Sequence, residues 1–213
     1  MSALPSATST ESFLESPELS TLDDAGRALL FTQARTANTF TDEVVSDAQL
    51  ASIWELAKWP PTASNVQPLR VVFVRTAEGK ERLVPNMSEG NRAKTSTAPA
   101  VAILAADTQF YEYMPLLFPH KPGQREKFAT DPGRSERARF NATLQAGYFL
   151  LAVRAHGLAA GPMGGFNGAA LDAEFFSDGR FRTILVVNIG HPGENPWRAR
   201  LPRLDNSITL SWA

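Results

Sequence analysis

The residues best suited to chemistry lie near position 60, in the run Trp59-Pro60-Pro61-Thr62-Ala63-Ser64-Asn65-Val66-Gln67-Pro68. Its prolines fix φ and remove backbone donors. Thr62, Ser64, Asn65 and Gln67 supply hydroxyls and amides that both donate and accept. A rigid loop with that content can present hydrogen bonds to a flat polar ligand. The alternative is an ordinary connection with turn chemistry. Three clusters place basic residues beside small polar ones: Arg35-Thr36-Ala37-Asn38, Asn91-Arg92-Ala93-Lys94 and Arg198-Ala199-Arg200. Arginine offers paired, planar donors that match phosphate oxygens. Taken singly, each cluster reads more readily as solvated surface charge. Their combination with the Asn65/Gln67 loop strengthens the case for a ligand site.

A fourth stretch, Gly161-Pro162-Met163-Gly164-Gly165-Phe166, lets a ring lie against bare backbone, whose N–H groups then become the donors. It reads equally as a turn. Its spacing fits neither a dinucleotide fingerprint nor a phosphate-binding Walker loop. His120, His156 and His191 are scattered, with no metal-ligand spacing. There is no Gly-x-Ser-x-Gly elbow. With no cysteine, thiolate catalysis, disulfides and zinc-thiolate sites are excluded. Binding groups without an evident acid, base or nucleophile suggest that a cofactor holds the reactivity.

The elements that must position these groups follow from the pattern along the chain. The 213 residues predict one domain with arms, and a net charge of −1 gives no nucleic-acid footprint. No apolar run approaches a membrane span, and the N-terminus does not read as a secretory signal, so a cytoplasmic location is the default expectation. Residues 1–21 are rich in Ser, Thr, Pro and Glu and read as a loose tail. Residues 22–195 form the domain, beginning with a short helix over 22–34. Ser46 and Gln49 make a capping box for a helix carrying Leu50, Ile53, Trp54 and Ala57 on one face, stopped by Pro60 and Pro61.

Strands are expected over 70–75, 99–106 and 181–189, with a short helix over 77–84. Residues 107–134 are aromatic and punctuated by proline, which predicts an irregular segment, a lid or a mobile stretch. The longest helix spans 135–156, with Phe140, Leu144, Tyr148, Leu151 and Ala155 in one stripe. Ala142, Ala146 and Gly147 smooth another part of its surface, which suits a helix–helix contact. The strands are continuous apolar runs, which places helices on both sheet faces. Residues 196–213 are too apolar to float in water. They must lie on their own domain or on a partner chain.

Taken in order, these pieces resemble the nitroreductase family of FMN-dependent oxidoreductases. The likeness runs from about Arg27 to the C-terminal arm. It is carried by Arg35-Thr36-Ala37-Asn38-Thr39-Phe40, the 61–68 loop, Asn91-Arg92-Ala93-Lys94, the 161–166 stretch and Arg198-Ala199-Arg200-Leu201-Pro202. Within the family the chain is most similar to the branch named for malonic semialdehyde reductase, also called 3-hydroxypropionate dehydrogenase. That finer likeness rests on Lys58 to Asn65, Arg75 to Leu83, Pro115 to His120, Gly161 to Phe166 and Arg200 to Leu204.

The resemblance implies an α+β homodimer with a central mixed, mainly antiparallel sheet flanked by helices, FMN in the interface, and exchanged C-terminal arms. It implies that Arg35, Thr36, Arg198 and Arg200 meet the FMN phosphate. Pro61, Thr62, Ala63, Ser64 and Asn65, with Gln67 adjacent, would approach from the other subunit. Asn91 and Lys94 would lie near the ribityl chain and pyrimidine edge. Gly164, between Pro162, Met163 and Gly165, would aim its backbone N–H at flavin N5. Tyr111, Tyr113, Phe118 and Arg125 are candidates for the substrate mouth, and no metal is expected.

NADH or NADPH would be the reductant in a ping-pong hydride transfer to a small molecule. Malonic semialdehyde is the branch's substrate. A broad nitroarene or quinone reductase and a non-catalytic flavin-binding protein are the alternatives. Two departures stand out. Many members have a basic residue where Asn38 stands, and many have an acidic one where Gly164 stands.

Overall fold

Small residues set the spacing of this fold. In the computed structural model, residues 20–213 are described, so the tail expected over 1–21 falls almost wholly outside the described residues. Four strands pair in the order β1-β2-β4-β3. They are β1 (Leu69–Val74), β2 (Ala100–Asp107), β3 (Ala159–Met163) and β4 (Phe181–Gly190). Every pairing among the described residues is antiparallel, so the sheet is not mixed.

β2 is buried along its whole length. Ala100, Ala102, Leu104 and Ala106 face one layer; Val101, Ile103 and Ala105 face the other. The first layer is α2 (Asp47–Ala57) with α7 (Arg134–Ala155). The second holds α3 (Ala77–Leu83), α4 (Glu89–Thr97) and α8 (Gly168–Phe175), contributing Leu83, Thr95 and Leu171 to the buried set. The apolar runs therefore mean burial on both faces, as expected.

α7 turns its smooth side inward. Ala138, Ala142, Ala146, Phe149, Ala152 and Val153 are buried against the sheet and α2. Alanines on both surfaces let the helix backbone approach β2 closely. The aromatic stripe is left outside: Phe140 is 63% and Tyr148 46% exposed. Two polar residues on the buried side build the neighbouring chain. The Gln145 Oε1 accepts from the Leu69 N–H at 3.0 Å, and the Asn141 Oδ1 accepts from the Ala63 N–H at 2.8 Å. Both satisfy backbone donors that a loop entering a sheet would otherwise bury unpaired.

Several boundaries differ from expectation. β3 runs on through Gly161, Pro162 and Met163, which a sequence reading places in a turn. Pro162 is tolerated because β3 is an edge strand. The 91–94 cluster lies inside α4, and α8 was not foreseen. Its cap is ordinary: the Asn167 Oδ1 accepts from the Ala170 N–H at 3.2 Å. The short helix expected over 22–34 is α1 (Asp24–Arg27) followed by a π-helical turn at Ala28–Thr32.

The 107–134 segment is neither irregular throughout nor loose. It folds into a 3₁₀ turn (Phe110–Tyr113), α5 (Met114–Leu117) and α6 (Gln124–Ala129). Phe110, Met114 and Phe128 anchor it in the core. Its root is a charge network at the end of β2. Asp107 is fully buried, with Arg70 at 2.7 Å and Arg180 at 2.9 Å, and Arg180 reaches Glu112 at 2.8 Å. The bond to Asp107 raises the Arg180 pKa further above its ordinary value, against the opposing effect of burial. No helix among the described residues is long and apolar enough to cross a membrane.

Replacing Asp107 with alanine leaves two half-buried guanidiniums without their carboxylate. It should lower the unfolding free energy by about 3–5 kcal/mol in urea titrations. Arg125→Ala breaks only an exposed pair with Glu126 and should stay within about 0.5 kcal/mol of the parent.

Candidate active site

The π-helical turn ends in a run of carbonyls, and arginines close around it. Arg154, in the last turn of α7, donates Nε to the Leu29 carbonyl at 2.8 Å and reaches the Arg35 carbonyl with Nη1 at 3.5 Å. Arg200 donates to the Thr32 carbonyl at 2.8 Å and the Ala34 carbonyl at 3.2 Å. Arg35 in turn donates to the Arg198 carbonyl at 3.2 Å. A helix C-terminus carries partial negative charge, so it attracts these cations without neutralising them.

Together they wall a cleft of about 550 Å³, lined by Leu30, Arg35, Thr36, Asn38, Gly147, Leu150, Leu151, Arg154, Ala160, Pro162, Arg198, Arg200 and Arg203 among others. Among the described residues the lining holds five arginines and no carboxylate. Crowding of like charge is felt by its members. Burial, and then the Arg200 charge, pull the Arg154 pKa below its ordinary value. Burial, and then the Arg198 charge, do the same to Lys94, so Lys94 also senses this cluster. A cleft of this composition is made for an anion.

The neighbouring floor is β3. The Ala37 N–H donates to the Ala160 carbonyl at 3.1 Å, which lays the Arg35–Phe40 segment along the strand edge. Gly161 makes that approach possible: a Cβ there would sit 2.8 Å from the Ala37 carbonyl oxygen. The Asn38 N–H donates to the Pro196 carbonyl at 3.0 Å and so starts the arm on its path. Beyond β3, Asn91 spends its amide N–H on the Gly165 carbonyl at 2.9 Å. Gly165 is packed, its Cβ position only 2.7 Å from the Asn91 Nδ2, whereas Gly164 faces open space. Behind them, buried Asn188 donates to the Lys94 carbonyl at 3.0 Å and to the Met163 sulfur at 3.9 Å. It ties α4 to the Met163 side chain, and its Oδ1 has no partner among the described residues.

The 61–68 loop sits elsewhere. Ser64, Asn65 and Gln67 have φ of 53°, 53° and 40°, a left-handed run costing roughly 1–3 kcal/mol per residue. Asn65 Nδ2 donates to the Leu117 carbonyl at 2.9 Å, and Gln67 Nε2 donates to the Asn65 Oδ1 at 2.7 Å. These amides hold the strained backbone. The Ser64 hydroxyl makes no bond among the described residues. The loop is pinned to Asn141 on the buried side of α7, whereas the cleft meets the helix at exposed Gly147 and runs on to Arg154, about 20 Å beyond Asn141. None of the described residues that line the cleft comes from the loop.

Tyr111 stacks under Arg134 at 5.1 Å and Tyr113 under Arg70 at 5.2 Å, so both are engaged in packing. Phe118 lies against His120 at 4.0 Å, beside the Leu117 carbonyl that receives Asn65. Among the described residues no group of side chains could hold a metal ion. The sequence reading missed Arg154, Arg203, Asn141 and Asn188. For Arg154 one signal was available: a cation in the last turn of the long helix, four residues from the Leu150–Leu151 pair that helps line the cleft.

The nitroreductase family profile matches residues 32–191. The chain belongs to the nitroreductase family. It is 56% identical over 191 residues to a Streptomyces coelicolor protein provisionally named NADH dehydrogenase/NAD(P)H nitroreductase, covering 89% of this chain and 94% of that one. Its fold is similar to a nitroreductase of Bacillus subtilis, with a TM-score of 0.78 and 22% identity over 89% of this chain and 99% of the other. It is also similar to an Exiguobacterium sibiricum nitroreductase solved in complex with FMN, with a TM-score of 0.76 and 19% identity over 91% and 99%.

Two glycines test the cleft floor. Gly161→Ala drives a methyl into backbone and should cost about 1–3 kcal/mol in thermal unfolding. Gly164→Ala meets open space and should change stability by less than about 0.5 kcal/mol.

Proposed function

We propose that this nitroreductase is an FMN-dependent NAD(P)H oxidoreductase that reduces small molecules as a homodimer. The observation that carries the reading is the arginine cleft without a carboxylate beside an open glycine backbone. The donor set fits FMN. A phosphate dianion drawn out of water needs several charge-assisted donors, and Arg35, Thr36, Arg198 and Arg200 supply them. Bound FMN would supply the redox chemistry, taking hydride from NADH or NADPH and passing it to an oxidised substrate.

The chain's own residues bind, orient and exclude water. Arginines fix the phosphate end. Lys94 would hold positive charge toward the pyrimidine end, which would favour the reduced, more anionic form. Gly164 offers a backbone donor, and its open face admits one flat molecule at a time, so reductant and oxidant take turns.

A second copy is favoured because no residue of the 61–68 loop is among the described residues lining the cleft. The strained 61–68 loop points its groups at no ligand of its own chain, and a partner would bring it over the cleft. The arm supports the same reading. It is tied down through Arg200, after which Leu201 is 75% and Trp212 92% exposed. Apolar side chains in that number need a covering surface, and the Phe140–Tyr148 stripe of a partner is of matching character. A flavin-storage role is disfavoured by Gly164, since a protected ring needs bulk above it.

Nitro compounds are the substrate class that the relatives' provisional name supports, and a quinone is a flat oxidant of the same kind. An aldehyde acid such as malonic semialdehyde is the narrower reading, resting on the resemblance of particular segments. NAD(P)H supply also fits a cytoplasmic enzyme.

The test is an anaerobic titration of FMN-loaded protein with NADH and NADPH, read at the flavin absorbance band. At least one nicotinamide should bleach it, and a nitroarene or quinone should restore the colour. Failure to take up FMN, or indifference to both nicotinamides, overturns the proposal. Restoration by the semialdehyde alone selects the narrower substrate. Lys94→Met should lower the midpoint potential by about 30 mV, a tenfold weaker preference for the reduced form in a two-electron couple. Dye-equilibration titrations measure it.

A further inference from the structure

The five arginines of the cleft are not equivalent. Arg35, Arg198, Arg200 and Arg203 are exposed and sit on a loop or on the arm, while Arg154 is half-buried and grows from a 22-residue helix packed on the sheet. Among the described residues Arg203 bonds only its own neighbours, the Leu201 and Pro202 carbonyls at 3.1 and 3.2 Å. Arg154 instead crosses from α7 to the segment that carries Arg35 and Thr36. Its bonds to the Leu29 and Arg35 carbonyls tether the π-helical turn and the Arg35 backbone to α7. Arg200 then docks on Thr32, the last residue of that turn, and on Ala34 just beyond it, and Arg35 holds the Arg198 carbonyl. The arm arginines thus inherit their positions from a turn that Arg154 fixes.

The charge argument points the same way. Arg154 is held by carbonyls and by the C-terminal end of its own helix, so its full charge stays available. It faces Arg200 without a carboxylate between them. Such repulsion is relieved when an anion enters. The parent group without phosphate brings no such relief.

We propose that Arg154 is the positioning residue that makes this cleft select a phosphate-bearing flavin over its unphosphorylated parent. The inference rests on the flavin reading above, but it is made on the anion end alone. Arg154 acts through Arg35 and Arg200, so its loss affects ligands that carry phosphate and spares the ring.

The experiment compares flavin-stripped wild-type protein with Arg154→Gln and Arg154→Lys. Quenching of flavin fluorescence gives Kd for FMN and for riboflavin, and thermal unfolding is followed with and without inorganic phosphate. Arg154→Gln should weaken FMN at least tenfold and leave riboflavin within twofold. Arg154→Lys, which keeps the charge but not the planar fork, should fall between. Phosphate should raise the Tm of the wild type and not of Arg154→Gln. Equal losses for FMN and riboflavin mean a merely structural arginine and overturn the proposal, as does unchanged FMN affinity. If Arg154→Gln is too unstable to purify, Arg154→Lys is judged by the same comparison. If wild-type protein binds neither flavin, the functional reading falls, and the phosphate measurement decides alone. A Tm rise lost in the variant then supports an anion-selecting Arg154, and equal rises overturn it.

Discussion

The site depends on cations held by carbonyl oxygens instead of carboxylates. Buried and half-buried guanidiniums ordinarily acquire an acidic partner, which cancels their charge. Here the free carbonyls at the end of the π-helical turn take that place. A carbonyl offers geometry and a partial charge, so the arginines are fixed while their net charge survives. That leaves the wall of the cleft electrostatically unsatisfied, which is the condition for binding an anion tightly.

The same residue type has the opposite fate at the far end of the sheet. Arg70 and Arg180 close on Asp107, and their charge is spent within the fold. Tyr113 stacks on both guanidiniums. Nothing there is left for a ligand, and the network serves as the root of the 107–134 segment. Among the described residues the two sets of arginines differ by one observation, the presence or absence of a carboxylate within reach.

α7 connects these parts mechanically. Its alanine side allows close packing on the sheet, which makes it a stiff beam. Asn141 near one end braces the strained loop, and Arg154 at the other braces the cleft. Left-handed Ser64 and Gln67 are costly, and such cost is retained where surrounding bonds over-determine the backbone. The loop's amides, which a sequence reading assigns to a ligand, are partly used to pay for that conformation.

Much of the molecule was legible along the chain. The capping box at Ser46 and Gln49, the apolar runs of β1, β2 and β4, and the long helix are local signals, and local physics decides them. Motif strings singled out the arginines, the proline loop and the glycines as candidates for a binding set. Composition excluded thiol and disulfide chemistry. Orientation was beyond reach. Whether α7 buries its aromatic stripe or its alanines depends on what packs against it, and both faces are apolar enough to serve. Whether Pro162 ends a strand or rides its edge depends on which neighbour pairs with it. Above all, the charge state of an arginine's surroundings is a property of three-dimensional neighbours: sequence counts the guanidiniums, and only the folded chain reveals which ones meet a carboxylate and which meet carbonyls alone.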